Sequence, residues 1–155
     1  MLIQRVTRTT AEKIFINVHN ADVDSVTTGM GVRFLGGAAA EIVSTDGVQV
    51  IKNVGDTIMS QFAGIAKNDI PADGYGLVQC FGYVDSILLS AEANKTIGVT
   101  GIANSFLKNG AVAGSFTSTL APEALSTMAY RLLQAWSTTN ISGGLNYAKG
   151  FVRAC

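Results

Sequence analysis

The sequence predicts an all-β fold: a β-sandwich or jelly-roll-like single domain with one short helix near the C-terminus. Three observations carry that expectation. Short runs rich in β-branched and aromatic residues are separated by Gly, Asn and Asp clusters, the pattern of strands and turns. Glycine is 17 of 155 residues and proline only 2, so the punctuation is mostly glycine turns. The apolar share is 48% and the charged share 14%, against about 25% charged in an ordinary soluble domain, which excludes disorder. A chain of 16.2 kDa is long enough to bury a core without disulfides. Residues 1–12 read as an N-terminal arm and 13–155 as one β-rich domain.

Taken in order, Lys13–His19 (K-I-F-I-N-V-H) is a strand with Ile14, Ile16 and Val18 on one face, and Asn20–Asp24 is polar punctuation. Val32–Phe34 is a second short strand and Glu41–Ser44 a third. The Asp46-Gly47 dipeptide is a hairpin signal that returns the chain through Val48 and Val50. Ile58–Lys67 suits helix or strand by composition, and Gly64 favours strand. Asn68–Gly74 is a loop stiffened by Pro71. Tyr75–Ser90 is the longest apolar tract, and Gly82 marks a bulge or bend between two strands. Thr96–Ala103 is another strand. From Pro122 to Trp136, Leu125, Met128, Leu132, Leu133 and Trp136 recur at helical spacing with no internal glycine, which predicts the one helix. Tyr147–Ala154 closes the chain as a last strand.

Chemistry-bearing constellations are sparse. The single histidine, His19, cannot build a two- or three-histidine zinc site, and C-x-x-C does not occur. Cys80 and Cys155 suggest neither a metal nor a redox pair, and a Cys80–His19 dyad would need the fold to bring them together. Gly29-Met30-Gly31 and Gly74-Tyr75-Gly76 do not extend to G-x-G-x-x-G, and neither a P-loop nor G-x-S-x-G is present. Asp22 with Asp24 lacks the glycine and distal glutamate of an EF-hand loop. These readings predict no enzyme activity, no metal and no cofactor. Eleven basic and eleven acidic residues cancel, which argues against nucleic acid as a partner. No run approaches the ~20 apolar residues of a membrane helix, and the N-terminus lacks a signal-peptide apolar region. Low charge and zero net charge predict that part of the surface is covered by other subunits.

From Phe62 to Ser86 the chain reads F-A-G-I-A-K-N-D-I-P-A-D-G-Y-G-L-V-Q-C-F-G-Y-V-D-S. This strand, D-I-P-A-x-G-Y-G loop and L-V-Q-x-x-G sequence resembles small virion structural proteins of tailed bacteriophages, in particular head decoration (cement) proteins. The opening Gln4-Arg5-Val6-Thr7-Arg8-Thr9, the Asn20–Val32 stretch and the closing Gly150-Phe151-Val152-Arg153-Ala154 are similar in the same way. The resemblance implies a β-rich, non-enzymatic homotrimer, made in the host bacterial cytoplasm, that binds the outside of an icosahedral head through the major capsid protein. Gln4, Arg5 and Arg8 are the expected capsid contacts. Ile70, Tyr75, Phe81, Leu133 and Trp136 are the expected subunit contacts, with aromatic side chains favoured as anchors. Alternatives are a tail or head-fibre base component, or a non-viral β-barrel domain whose Tyr75, Phe81, Tyr83 and Trp136 line a ligand pocket.

Overall fold

Apolar residues alternating with small or polar ones give each strand a face for a core. In the computed structural model such runs form a ten-stranded sheet. The structure describes residues 12–35, 43–44, 47–53, 61–90, 105–110, 112–118, 133–135 and 145–154. The strands are β1 (Ile14–Asn20), β2 (Gly31–Phe34), β3 (Val43–Ser44), β4 (Gly47–Lys52), β5 (Phe62–Ala66), β6 (Tyr75–Ser90), β7 (Ser105–Asn109), β8 (Phe116–Ser118), β9 (Leu133–Ala135) and β10 (Leu145–Arg153).

The sheet runs β1-β4-β2-β5-β6-β10-β9-β7-β8, and β1 also pairs with β6. That extra pairing closes β1, β4, β2, β5 and the first half of β6 into a five-stranded barrel. Its neighbours are antiparallel except β1 and β4, which run parallel. A second ring, β6-β10-β9-β7-β8, returns to β6 through the parallel pairing of Leu89 with Phe116. The two rings share β6.

Two features of β6 make this possible. It is 16 residues long, enough to serve both rings. One of its edges pairs with β1 from Tyr75 to Phe81 and then with β10 from Phe81 to Ser90. Gly82 sits at that handover with φ +103°, where a Cβ would run into the Glu12 carbonyl oxygen. Glycine is the residue that tolerates both the backbone angle and the close approach.

Each ring has its own core. Val18, Val26, Val32, Val50, Ala66, Ile70 and Val78 pack inside the barrel. Phe62, Ile65, Val84, Ile87, Leu89, Phe116 and Val152 form the other cluster, with Phe62 and Phe116 edge to face at 5.8 Å. β5 is buried along its whole length because Ala63 and Ala66 face one cluster while Phe62 and Ile65 face the other.

The all-β class therefore holds, but the described sheet closes into rings about β6 instead of stacking as the two sheets of a sandwich or jelly roll. Tyr75–Ser90 is one bent strand rather than two. Gly47 stands in β4 opposite Ser44, not in a turn as the Asp46-Gly47 dipeptide suggested. The expected helix is corrected at its end: Leu133–Ala135 pair with β10 and β7 as strand. Helical spacing of apolar residues carried that expectation, and it does not register cross-strand pairing. The rest of Pro122–Trp136, the Thr96–Ala103 strand and residues 1–11 lie outside the described residues.

Candidate functional site

The Asn68–Gly74 loop joins β5 to β6, and its sequence dictates a stiff turn. Pro71 fixes its own φ, Asp73 takes the left-handed conformation at φ +54°, and the Gly74 amide donates to the Pro71 carbonyl at 3.1 Å. The residue that ties the loop down is Asn20, the fully buried last residue of β1. Its backbone N–H donates to Gly74 O at 2.8 Å, and its carbonyl accepts from the Asp73 amide at 3.0 Å. Its side-chain amide donates to Asp24 O at 2.9 Å and Pro71 O at 3.0 Å, with Ile70 O at 3.3 Å sharing a proton. Its side-chain oxygen accepts from the Asp22 amide at 3.1 Å.

Three further ties hold the loop. Val26 and Ile70 exchange backbone hydrogen bonds at 2.8 and 2.9 Å. The Asp69 carboxylate accepts from the Thr28 amide at 2.7 Å and from its hydroxyl at 2.9 Å. These bonds hold the exposed Asp69 carboxyl below its ordinary value, the backbone bond contributing most. His19 Nε2 lies 2.9 Å from the Asp73 carboxylate, and the imidazole stacks against Tyr75 at 4.9 Å. While the base is fixed, Lys67, Asn68, Asp69, Pro71, Ala72, Asp73 and Tyr75 are all exposed. The loop is a rigid projection at one end of the barrel.

Beside it lies an outer wall built by β1 and the first half of β6. With Val18 and Val78 turned into the barrel, alternation sends Tyr75, Leu77 and Phe15 outward. A register shift between Ile14 and Phe15 puts both on this face, Ile14 opposite Phe81. Exposure is 56% for Tyr75, 44% for Leu77, 42% for Ile14 and 39% for Phe15, high for such side chains on one sheet face. The half-buried Phe81 continues the strip onto β10, edge to face with Phe151 at 5.2 Å. Charges stand at the ends: Lys13 pairs with Asp85 at 3.6 Å and lies over the Tyr83 ring, while Asp73 flanks Tyr75.

The sequence-derived residues separate on this frame. Tyr75 and Phe81 share the wall. Ile70 is fully buried in the barrel core, so its side chain offers no surface to another subunit. Leu133 is in β9; Gln4, Arg5, Arg8 and Trp136 lie outside the described residues. Among the described residues Tyr75, Phe81 and Tyr83 run along the outside of the sheet. A void lined by Thr28, Ile65, Lys67, Gln79, Asp85 and Ser86 holds about 30 Å³, room for a water and far below the ~300 Å³ of a small ligand site. Cys80 and His19 are not brought together: His19 pairs with Tyr75, roughly 16 Å along β6 from the buried Cys80. Among the described residues no three His, Cys, Asp or Glu side chains cluster as metal ligands.

Asn20, Phe15 and Leu77 were not singled out by the sequence reading. The signal for Phe15 was present: if Ile16 and Val18 face inward, Phe15 must face out. Asn20 carried no such mark, because its loop partners Ile70 and Pro71 are 50 and 51 residues away. No protein-family model, curated protein or solved structure matches the chain.

Proposed function

We propose that this protein is a head decoration protein of a tailed bacteriophage, a non-enzymatic component that binds the outside of the capsid and stabilises it. The observation that supports this reading most is the loop. The residues carrying the resemblance, Phe62–Ser86, form β5, the projecting loop and β6, and Asn20 with three further ties fixes the loop while its tip stays exposed. A preorganised projection loses little conformational freedom on docking, which favours repeated contact with a lattice. Gln4, Arg5 and Arg8 would add contacts to the major capsid protein.

Stabilisation then follows from mass action. A protein that binds only the assembled shell stabilises it by about 2.7 kcal/mol per site at a hundred times its Kd. Each contact can be weak if several copies, in a homotrimer or another assembly, engage the lattice together, since linked contacts raise avidity by roughly 10²–10⁴.

The test is co-sedimentation of the purified protein with expanded, protein-only phage heads. Saturable binding is expected. Ala72→Arg at the exposed loop tip should weaken it about tenfold or more while the thermal unfolding of the free protein stays unchanged. Binding to tails but not heads would favour a tail or fibre-base component, and binding indifferent to Ala72→Arg would take the loop out of the contact.

A further inference from the structure

Water-facing sheet walls normally alternate apolar-in with polar-out. The β1–β6 wall departs from this. Tyr75, Leu77, Phe15 and Ile14 all face out, each at least 39% exposed, and share this face with the exposed Asn17 and the buried His19 and Gln79. The neighbouring strand shows what cover looks like: β5, paired to the other edge of β6, is buried on both faces because the second ring packs over it. Nothing among the described residues packs over the β1–β6 wall in that way.

We infer that this wall is the surface through which copies of the chain associate, each docking the strip around Phe15, Leu77 and Tyr75 against a second copy. Area is the first argument. The four exposed side chains present roughly 300 Å² of apolar surface, counting about 150–250 Å² for a full aromatic side chain. The half-buried Phe81, Tyr83 and Phe151 bring the strip to roughly 400 Å² by the same scale. A standard interface buries about 800 Å² per partner, of which some 60% is apolar, so the strip supplies about the apolar core that a stable contact needs. Anatomy is the second argument: Asp73 and the Lys13–Asp85 pair stand toward the ends of the strip as a polar rim, and the exposed Arg153 stands opposite Phe81, where the β1 and β10 parts of the strip meet.

The occupant follows from charge and topology. A net charge of zero and a charged share of 14% leave copies without long-range repulsion. β1 pairs with β6 from Ile14 to His19 and with β4 at His19 and Asn20, and the apolar strip lies on the outward face of these strands rather than along an edge, so the contact is face to face. An apolar strip needs an apolar counterpart, and every copy of the chain carries one.

This assignment gives the self-association part of the proposed function a place, but it uses no property of a capsid, so the two fail separately. Sedimentation velocity or light scattering on the purified chain tests it. Wild type is expected at a multiple of 16.2 kDa at micromolar concentration. Leu77→Lys and, separately, Phe15→Lys should raise the dissociation constant about a hundredfold or more and yield monomer, with circular dichroism unchanged. Val23→Lys, at an 89% exposed apolar residue outside β1 and β6, should leave the mass unaltered. A wild-type monomer at all concentrations would overturn the inference, and so would an oligomer that survives both wall substitutions. A monomeric Leu77→Lys protein that still binds shells would uphold it while separating it from capsid docking.

Discussion

Asn20 shows how much one buried polar side chain can determine. It satisfies carbonyls of Asp24, Ile70 and Pro71 and orders the Asp22 amide, with its own side chain fully buried. Asn20→Ala leaves those groups without their partner, at a cost of about 2–3 kcal/mol. Tm should fall by about 4–12 °C, and hydrogen exchange should accelerate first at Ile70, Asp73 and Gly74. Asn20→Asp should not rescue it, because a carboxylate cannot donate to carbonyls. Asp69 gives a second residue-scale test. Its carboxyl titrates below its ordinary value in the fold, so its charged form contributes stability above the unfolded value, and that contribution is lost as pH falls through the folded one. Asp69→Asn keeps an acceptor for Thr28 but removes the charge. Wild type should exceed the variant in stability at neutral pH, and the two unfolding curves should converge in strong acid. A gap independent of pH would mean that the Thr28 bonds contribute nothing through charge.

At the scale of elements, legibility followed range. Strands β1, β2, β5, β6 and β10 could be read because branched and aromatic residues alternate within them, and the Asn68–Gly74 loop because Pro and Asp-Gly act locally. What escaped is long-range. The β1–β6 pairing that closes the barrel joins residues 14–19 to 75–81, and no local pattern announces it. The helical spacing that ended at Leu133 and Trp136 failed at Leu133–Ala135, where two flanking strands supply hydrogen bonds that override periodicity. Ile70 looked like surface because a polar loop surrounds it; the Val26–Ile70 bridge draws it inward. The same reasoning explains why the exposed wall was half visible. Tyr75 stood out as an aromatic in a loop motif, whereas Phe15 and Leu77 became conspicuous once the pairing fixed which face was inside.

For the whole molecule, the shared strand sets how stability is distributed. Because β6 forms a wall of both rings and β5 lies between both cores, neither ring keeps its edges if the other opens. Phe116 reinforces this: it lies so close to Gly31 of the barrel that a Cβ there would overlap its ring. The two clusters should therefore unfold as one unit rather than as a barrel and an appended sheet. Calorimetry in the Leu77→Lys background, where association does not enter, should show one transition with equal calorimetric and van't Hoff enthalpies. Ile70→Ala in the barrel and Phe116→Ala in the other cluster should each lower that transition, by about 2–5 and 3–5 kcal/mol respectively. Two resolved transitions, one sensitive to each substitution, would instead make the rings separate folding units. In that case a long strand bent at Gly82 would act as a hinge between them, not as the common wall that holds the loop and the apolar strip in fixed relation.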